Sequence, residues 1–183
     1  MGCQVSSSQG GGQNNSKKSM MPRTPILLLS LPGDVKRYVQ RLLGFENGIY
    51  VGTEKLSVRF VDIDNSINTR KNWYKELSSR RDFASIMYFA DLRDHPMLLL
   101  NIRTVNWIIR TSLKKFKIHV IALYDSDEQI REFREYLDSS IDFLTISEKN
   151  QASIDGMIRL LTDIERVFIE TKKSPPISMS TKI

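Results

Sequence analysis

One cysteine, Cys3, and two histidines, His95 and His119, are all that 183 residues offer by way of thiol and imidazole. A lone cysteine cannot close an internal disulfide, which points to an intracellular setting. No His/Cys pair stands at zinc-ligand spacing. The chain has no apolar run long enough to span a bilayer and no secretory apolar region at its amino terminus. It also lacks any DNA- or RNA-binding motif and any basic helix with interleaved aromatics. The net charge of +6 therefore favours anionic surfaces such as a cytoplasmic leaflet, and nucleic acid is not an expected partner. No internal repeat is present. What remains is ordinary for one globular domain: 40% hydrophobic and 26% charged residues.

Both ends differ from the body. Residues 1–24 are polar and rich in Gly, Ser, Gln and Asn, a composition that cannot offset the entropy of ordering, so a disordered tail is expected. The run Met1-Gly2-Cys3-Gln4-Val5-Ser6 fits the myristoylation pattern at Gly2, and Cys3 beside it is a candidate for palmitoylation. One acyl chain holds a membrane only marginally and two hold it stably, so Gly2 and Cys3 together predict an anchor. Residues 172–183, with Pro175-Pro176, predict a second disordered tail.

Between them, residues 25–171 alternate strand and helix. Apolar runs predict buried strands over 25–30, 83–90, 117–124 and 141–146. Helical spacing predicts helices after Asp34, over 69–79, 98–111 and 127–137, and over 152–171. Asp34 and Ser126 are candidate caps. Strands over 49–53 and 56–62, with 52–55 between them, predict one antiparallel hairpin. The alternation predicts a mostly parallel, doubly wound α/β sheet. Such sheets bind ligands at the carboxyl ends of their strands, here the loops 30–37, 62–69, 124–128 and 147–151.

Lys36, opening a helix after a strand and a turn, has the layout of a phosphate cradle, and is equally well read as a solvated lysine at a helix start. Ser30 has no nucleophile-elbow context. His119 reads as a structural residue within a strand, Trp107 as packing, and Trp73 as either core or a partner-binding anchor.

Residues 56–92, and above all Arg70-Lys71-Asn72-Trp73, resemble the third strand, second switch and fourth strand of heterotrimeric G-protein α subunits. Residues 101–123 and 143–170 follow the same pattern, as does the Met1-Gly2-Cys3 terminus; ADP-ribosylation-factor-like GTPases are a close second. The resemblance implies a Ras-like P-loop NTPase fold and a signal transducer on the cytoplasmic face of the plasma membrane or another membrane. It implies GTP or GDP held by Gly33, Lys36, Asp62 and Asp127. It implies contact with βγ subunits, a receptor or an effector through Arg70, Lys71 and Trp73.

The chain departs from that family where chemistry is done. Ser30 and Val35 stand for phosphate-loop glycines, and Pro32 removes a donor. Asp34 brings negative charge, and Arg37 replaces the Mg²⁺-binding hydroxyl. Asn65 and Ser66 replace the residues that sense the γ-phosphate and orient water, and Tyr124 replaces a base-reading Asn. The helical insert and the first switch are missing. No residue is placed as catalytic or as a metal ligand: Mg²⁺ is not expected, nucleotide is held weakly or not at all, and hydrolysis is lost or very slow. The alternative is a pseudo-GTPase adaptor that binds partners without turnover. A non-GTPase enzyme on a similar sheet, such as a flavodoxin-like protein, ranks last, because the loop 31–34 lacks Ser/Thr/Gly richness.

Overall fold

The computed structural model describes residues 23–50, 56–63, 69–79, 82–112, 116–139, 141–146 and 150–173. Strand β1, Thr24–Ser30, is the hub. Its apolar run is buried on both faces, as expected of a strand with helices above and below. Helix α1, Val35–Leu42, follows, then the short strands β2, Phe45–Glu46, and β3, Ile49–Tyr50. The chain continues through β4, Val58–Asp62, α2, Thr69–Ser79, β5, Ser85–Asp91, and α3, His95–Thr111. It closes with β6, Ile118–Leu123, α4, Asp127–Glu135, β7, Asp142–Ile146, and α5, Gln151–Lys173.

The seven strands lie in the order β2-β3-β4-β1-β5-β6-β7. Five are parallel, and their order is 2-1-3-4-5 when they are numbered in chain order. The order reverses between β1 and β5, so the crevice at their carboxyl ends is the place where such a sheet accepts ligands. Helices α1 and α5 cover one face: Val35, Val39, Met157 and Leu161 pack with Ile26, Leu28, Met87 and Ile121. Helices α2, α3 and α4 cover the other, where Trp73, Leu77, Leu98, Val105 and Phe133 meet Leu27, Ile86, Tyr88 and Val120.

The expected Ras-like sheet with a single antiparallel hairpin is corrected by this edge. It carries two antiparallel pairings, β2 with β3 and β3 with β4, the latter through Ile49 and Arg59. The cause is local. Asn47 and Gly48 have φ of 48° and 76°, the left-handed pair that closes a tight two-residue hairpin. A tight hairpin thus forms at 45–50 in addition to the expected antiparallel pairing of 49–53 with 56–62, which is present as β3 with β4; residues 51–55 lie outside those described. Gly48 is required twice over, since a Cβ there would sit 2.8 Å from the Phe60 carbonyl oxygen. Helix α3 begins three residues before the expected Leu98. Proline in a helix's first turn needs no N–H, so Pro96 opens the helix instead of delaying it. Of the expected tails, Thr24 belongs to β1 and Lys172 and Lys173 to α5, while 1–22, with Gly2 and Cys3, and 174–183 fall outside the described residues. No helix among the described residues is long and apolar enough to cross a membrane.

Candidate functional site

Two cavities meet at the loop that leaves β1. Both are lined by Pro32 and Gly33. Gly33 has φ of +142° and nothing within 4 Å of where a Cβ would be, so the backbone presents an open, side-chain-free ridge. On one side of that ridge lies a cavity of about 700 Å³ lined by Lys36, Arg37, Gln40 and Arg41 from α1, by Phe45, Glu46 and Asn47 from the hairpin, and by Ile63. Three cations face it against one carboxylate. On the other side lies a cavity of about 530 Å³ whose charged lining is Asp34, Asp91, Asp94 and Asp125 with Arg93. The switch point is thus split by sign, basic toward β4 and acidic toward β6.

Lys36 is the residue that gives the basic side its character. It is only 6% exposed although it stands in the first turn of α1, and its Nζ donates to the Ile63 carbonyl at 3.4 Å. Its methylene stem packs inward while the ammonium faces the cavity. Asp34 does not cap α1 as expected. Its backbone is helical, its side chain accepts no bond from the helix, and its carboxylate lies 4.0 Å from exposed Arg37. It lines the acidic cavity, and its ion pair reaches Arg37 of the basic one.

The acidic side is braced from within. Burial would raise the Asp91 carboxyl, but bonds from the Arg93 side chain and backbone outweigh it and hold the carboxyl below its ordinary value. The Arg93 guanidinium donates through Nε and one Nη at 2.9 and 2.6 Å. Behind them buried Asn101 donates to the carbonyls of Asp91 and Met97 at 2.8 and 2.7 Å and accepts from the Tyr88 hydroxyl at 2.5 Å. That lock fixes the carboxyl end of β5 against α3. Burial pushes the Tyr88 phenol far up, so it stays a neutral donor. Ser126 caps α4 in a reciprocal capping box with Gln129, as the sequence suggested.

Of the four expected nucleotide contacts, Gly33 and Lys36 come together at the basic cavity. Asp62 ends β4 opposite Leu28, one residue before Ile63. Asp127 is exposed in the first turn of α4 and lines neither cavity; its neighbour Asp125 lines the acidic one. The partner-binding expectation divides. Arg70 and Lys71 are exposed, but Trp73 is wholly buried, its ring against Tyr88 and Trp107 at 6.3 and 6.4 Å between centroids. Trp73 is corrected to a core residue, and the aromatic that α2 does expose is Tyr74. Sequence reasoning missed Arg41, Arg93 and Asn101. Arg41 alone carried a readable signal, lying four residues after Arg37 on a helix and hence on the same face.

Among the described residues no group of three His, Cys, Asp or Glu side chains is placed to hold a metal ion. No family model and no curated protein matches this sequence. A solved structure that it resembles is the metal-soaked Flv1 flavodiiron core from Synechocystis sp. PCC6803, at 10% identity and a TM-score of 0.45, over 80% of this chain and 36% of that one. This chain therefore spans well under half of that structure, and a likeness of this size brings no metal or cofactor with it. No family model and no curated protein ties the chain to G-protein α subunits or to ADP-ribosylation-factor-like GTPases, and that solved structure is a flavodiiron core. The resemblance is corrected accordingly, together with the Ras-like label and the G-protein terms that rested on it; the acylation motif at Gly2 and Cys3 was read from the residues themselves and lies outside those described. The resemblance rested on the short run 70–73, whose tryptophan is there to fill the core, and on a strand–helix alternation that many open α/β sheets share.

Proposed function

We propose that the chain is a binding domain that holds a compact, multiply charged anion, such as a phosphate-bearing small molecule, in the basic cavity beside β1. The observation that carries this reading is the convergence of buried Lys36 with Arg37 and Arg41 on one cavity, against the single carboxylate of Glu46. A cleft lined by one sign of charge within low-dielectric walls concentrates counter-ions of the other sign. Guanidinium pairs suit planar, bidentate anions, and a half-sequestered ammonium adds a point charge. The Gly33 ridge supports the reading further, because a ligand can approach the backbone there without meeting a side chain. Binding without turnover is the economical form of this function: among the described residues the cavity's charged lining is three cations and one exposed carboxylate, with no nucleophilic side chain.

The test is a thermal-shift titration of the full chain with inorganic pyrophosphate, matched at each step by sodium chloride of equal ionic strength. A ligand at 100 times its dissociation constant adds about 2.7 kcal/mol of stability, a shift of several degrees. Lys36→Met keeps the apolar stem and removes the charge, and is expected to abolish the pyrophosphate-specific shift. Parallel arms with GTP and GDP separate a site that reads a base from one that reads only charge. A pyrophosphate response no larger than that of the salt control at about 10 mM ligand would sink the proposal.

A further inference from the structure

The opposite end of the sheet holds a different site. Helix α5 has 23 residues and runs about 34 Å, whereas the five-residue strand β7 beside it covers about 17 Å. The helix outruns the amino ends of the strands, and its apolar stripe continues where the sheet stops. Leu160, Ile164, Val167 and Phe168 form one wall of a cavity of about 640 Å³, within the range of small-molecule sites. Glu165 fixes the helix there by accepting from the Ser57 backbone N–H at 2.9 Å.

The facing wall turns polar toward the amino ends of the strands, where His119 stands between Met87 and Asp142 and Ser85 lies two residues before Met87. On the α5 side of the sheet β5, β6 and β7 contribute apolar Met87, Ile121 and Leu144, then, toward their amino ends, Ser85, His119 and Asp142. Ser85 and His119 are each 1% exposed. Among the described residues, Ser85 Oγ and His119 Nε2 have no hydrogen-bond partner. His119 Nδ1 lies 3.2 Å from Asp142 Oδ2, near but out of line for a hydrogen bond, and Lys117 already holds that oxygen at 2.7 Å. A buried polar group left unpaired costs about 1–3 kcal/mol, and two on diagonal positions of neighbouring strands, both lining one cavity, are where a ligand's polar end would be placed.

We propose that this cavity binds a small neutral amphiphile, its apolar body against Leu160, Ile164 and Phe168 and its one polar group, able both to donate and to accept, held by His119 Nε2 and Ser85 Oγ. A neutral imidazole offers one donor and one acceptor, and a hydroxyl offers both, so an alcohol, phenol or amide satisfies the pair. Charge argues against an ionised head. The cavity is lined by Asp82, Asp142 and Asp163 against Lys117 and Lys172. Lys117 is bound to Asp142, and Lys172 lies over the Phe168 ring at 4.4 Å, so neither cation is spare for a carboxylate.

The experiment is a ¹H–¹⁵N titration of the full chain with 2-naphthol, with 2-methylnaphthalene and 2-naphthoate as matched probes. Shifts are expected at the amides of 84–86, 118–120 and 160–168, and not at 33–37. 2-Naphthol is expected to bind about tenfold tighter than either analogue, the worth of one satisfied buried hydrogen bond. His119→Leu is expected to erase the preference for 2-naphthol over 2-methylnaphthalene while leaving apolar binding. Ser85→Ala, a smaller change that keeps the strand intact, is expected to reduce the same preference and serves if the first variant fails to fold. Equal affinity for 2-naphthol and 2-methylnaphthalene, tighter binding of 2-naphthoate, shifts that map elsewhere, or no binding up to the solubility of 2-naphthol would each overturn the proposal.

Discussion

The two ends of the sheet handle polar groups in opposite ways. At the carboxyl end, charges are many and paired or exposed: Arg93 holds Asp91 by three bonds, Asn101 spends its amide group on two carbonyls and a phenol, and Arg37 and Arg41 stand in solvent. At the amino end exposed Lys117 also pairs with half-buried Asp142, but His119 and Ser85 are buried and incompletely satisfied under an overhanging apolar helix. The first arrangement is inexpensive and tolerant of change. The second costs stability and is maintained only by the packing around it. The contrast implies that stability should respond to pH and mutation chiefly through the buried groups, even though most of the charge is at the other end.

The largest effect expected is acid destabilisation through His119. Burial, only partly countered by Asp142, lowers its pKa from 6.5 to about 4. The unfolded chain therefore binds the proton first as pH falls, so stability rises with pH between about 4 and 6.5 and is flat with respect to this group above that window. The change across the window is about 3 kcal/mol at 1.36 kcal/mol per pKa unit. Urea denaturation at pH 7.5 and pH 4.5 measures it. The His119→Leu protein should lose less stability over that interval than the parent, by most of this amount. Equal losses would mean that the buried end is not the pH-sensitive one.

Much of the chain was legible in advance, and the reasons are specific. Helix α2 lies where spacing put it, because Thr69–Ser79 is bounded by turn-forming residues and repeats its apolar positions at helical intervals. The parallel strands announce themselves as apolar runs that no solvated element could carry. The burial of Trp73 was also within reach, since Leu77 lies four residues on and the two share a face. Three things were not readable. The extra edge strand β2 depends on Phe45–Glu46 folding back across the turn at 47 and 48 to pair with β3, which two residues of sequence do not announce. The split of the switch point by sign depends on which side of the Gly33 ridge each charge falls. That Ser85 and His119 line one cavity depends on register across neighbouring strands: period-2 alternation tells which face a residue takes, but not what stands near it. Both candidate cavities are products of that kind of non-local placement, which a family resemblance built on local runs could not supply.

A middle-sized effect should come from the one buried polar cluster at the carboxyl end. Asn101→Ala removes the donor to the Asp91 and Met97 carbonyls and the acceptor for Tyr88. The expected loss is about 2 kcal/mol, from desolvated groups left unpaired. Chemical denaturation at pH 7.5 checks it. A loss below about 0.5 kcal/mol, the range of ordinary surface changes, would place the lock among the tolerant features of that end.

The smallest effect is the sharpest test of the contrast. The Arg93–Asp91 pair has the shortest ion-pair contact at this end, 2.6 Å, with two parallel bonds, and would rank first in any inventory of interactions. Yet the Arg93 side chain is 43% exposed and Asp91 25%. Solvent screens such a pair, and the ordering of a long side chain offsets part of its attraction, so Arg93→Ala is expected to cost no more than about 1 kcal/mol. The loss should shrink further in about 0.5 M salt, where the screening length falls below the spacing of exposed charges. His119, with no aligned partner and no comparable bond, should move stability by a larger amount over three pH units. If Arg93→Ala instead cost more than the acid shift, geometry would outweigh burial in this protein, and the two ends of the sheet would have to change places in the ranking.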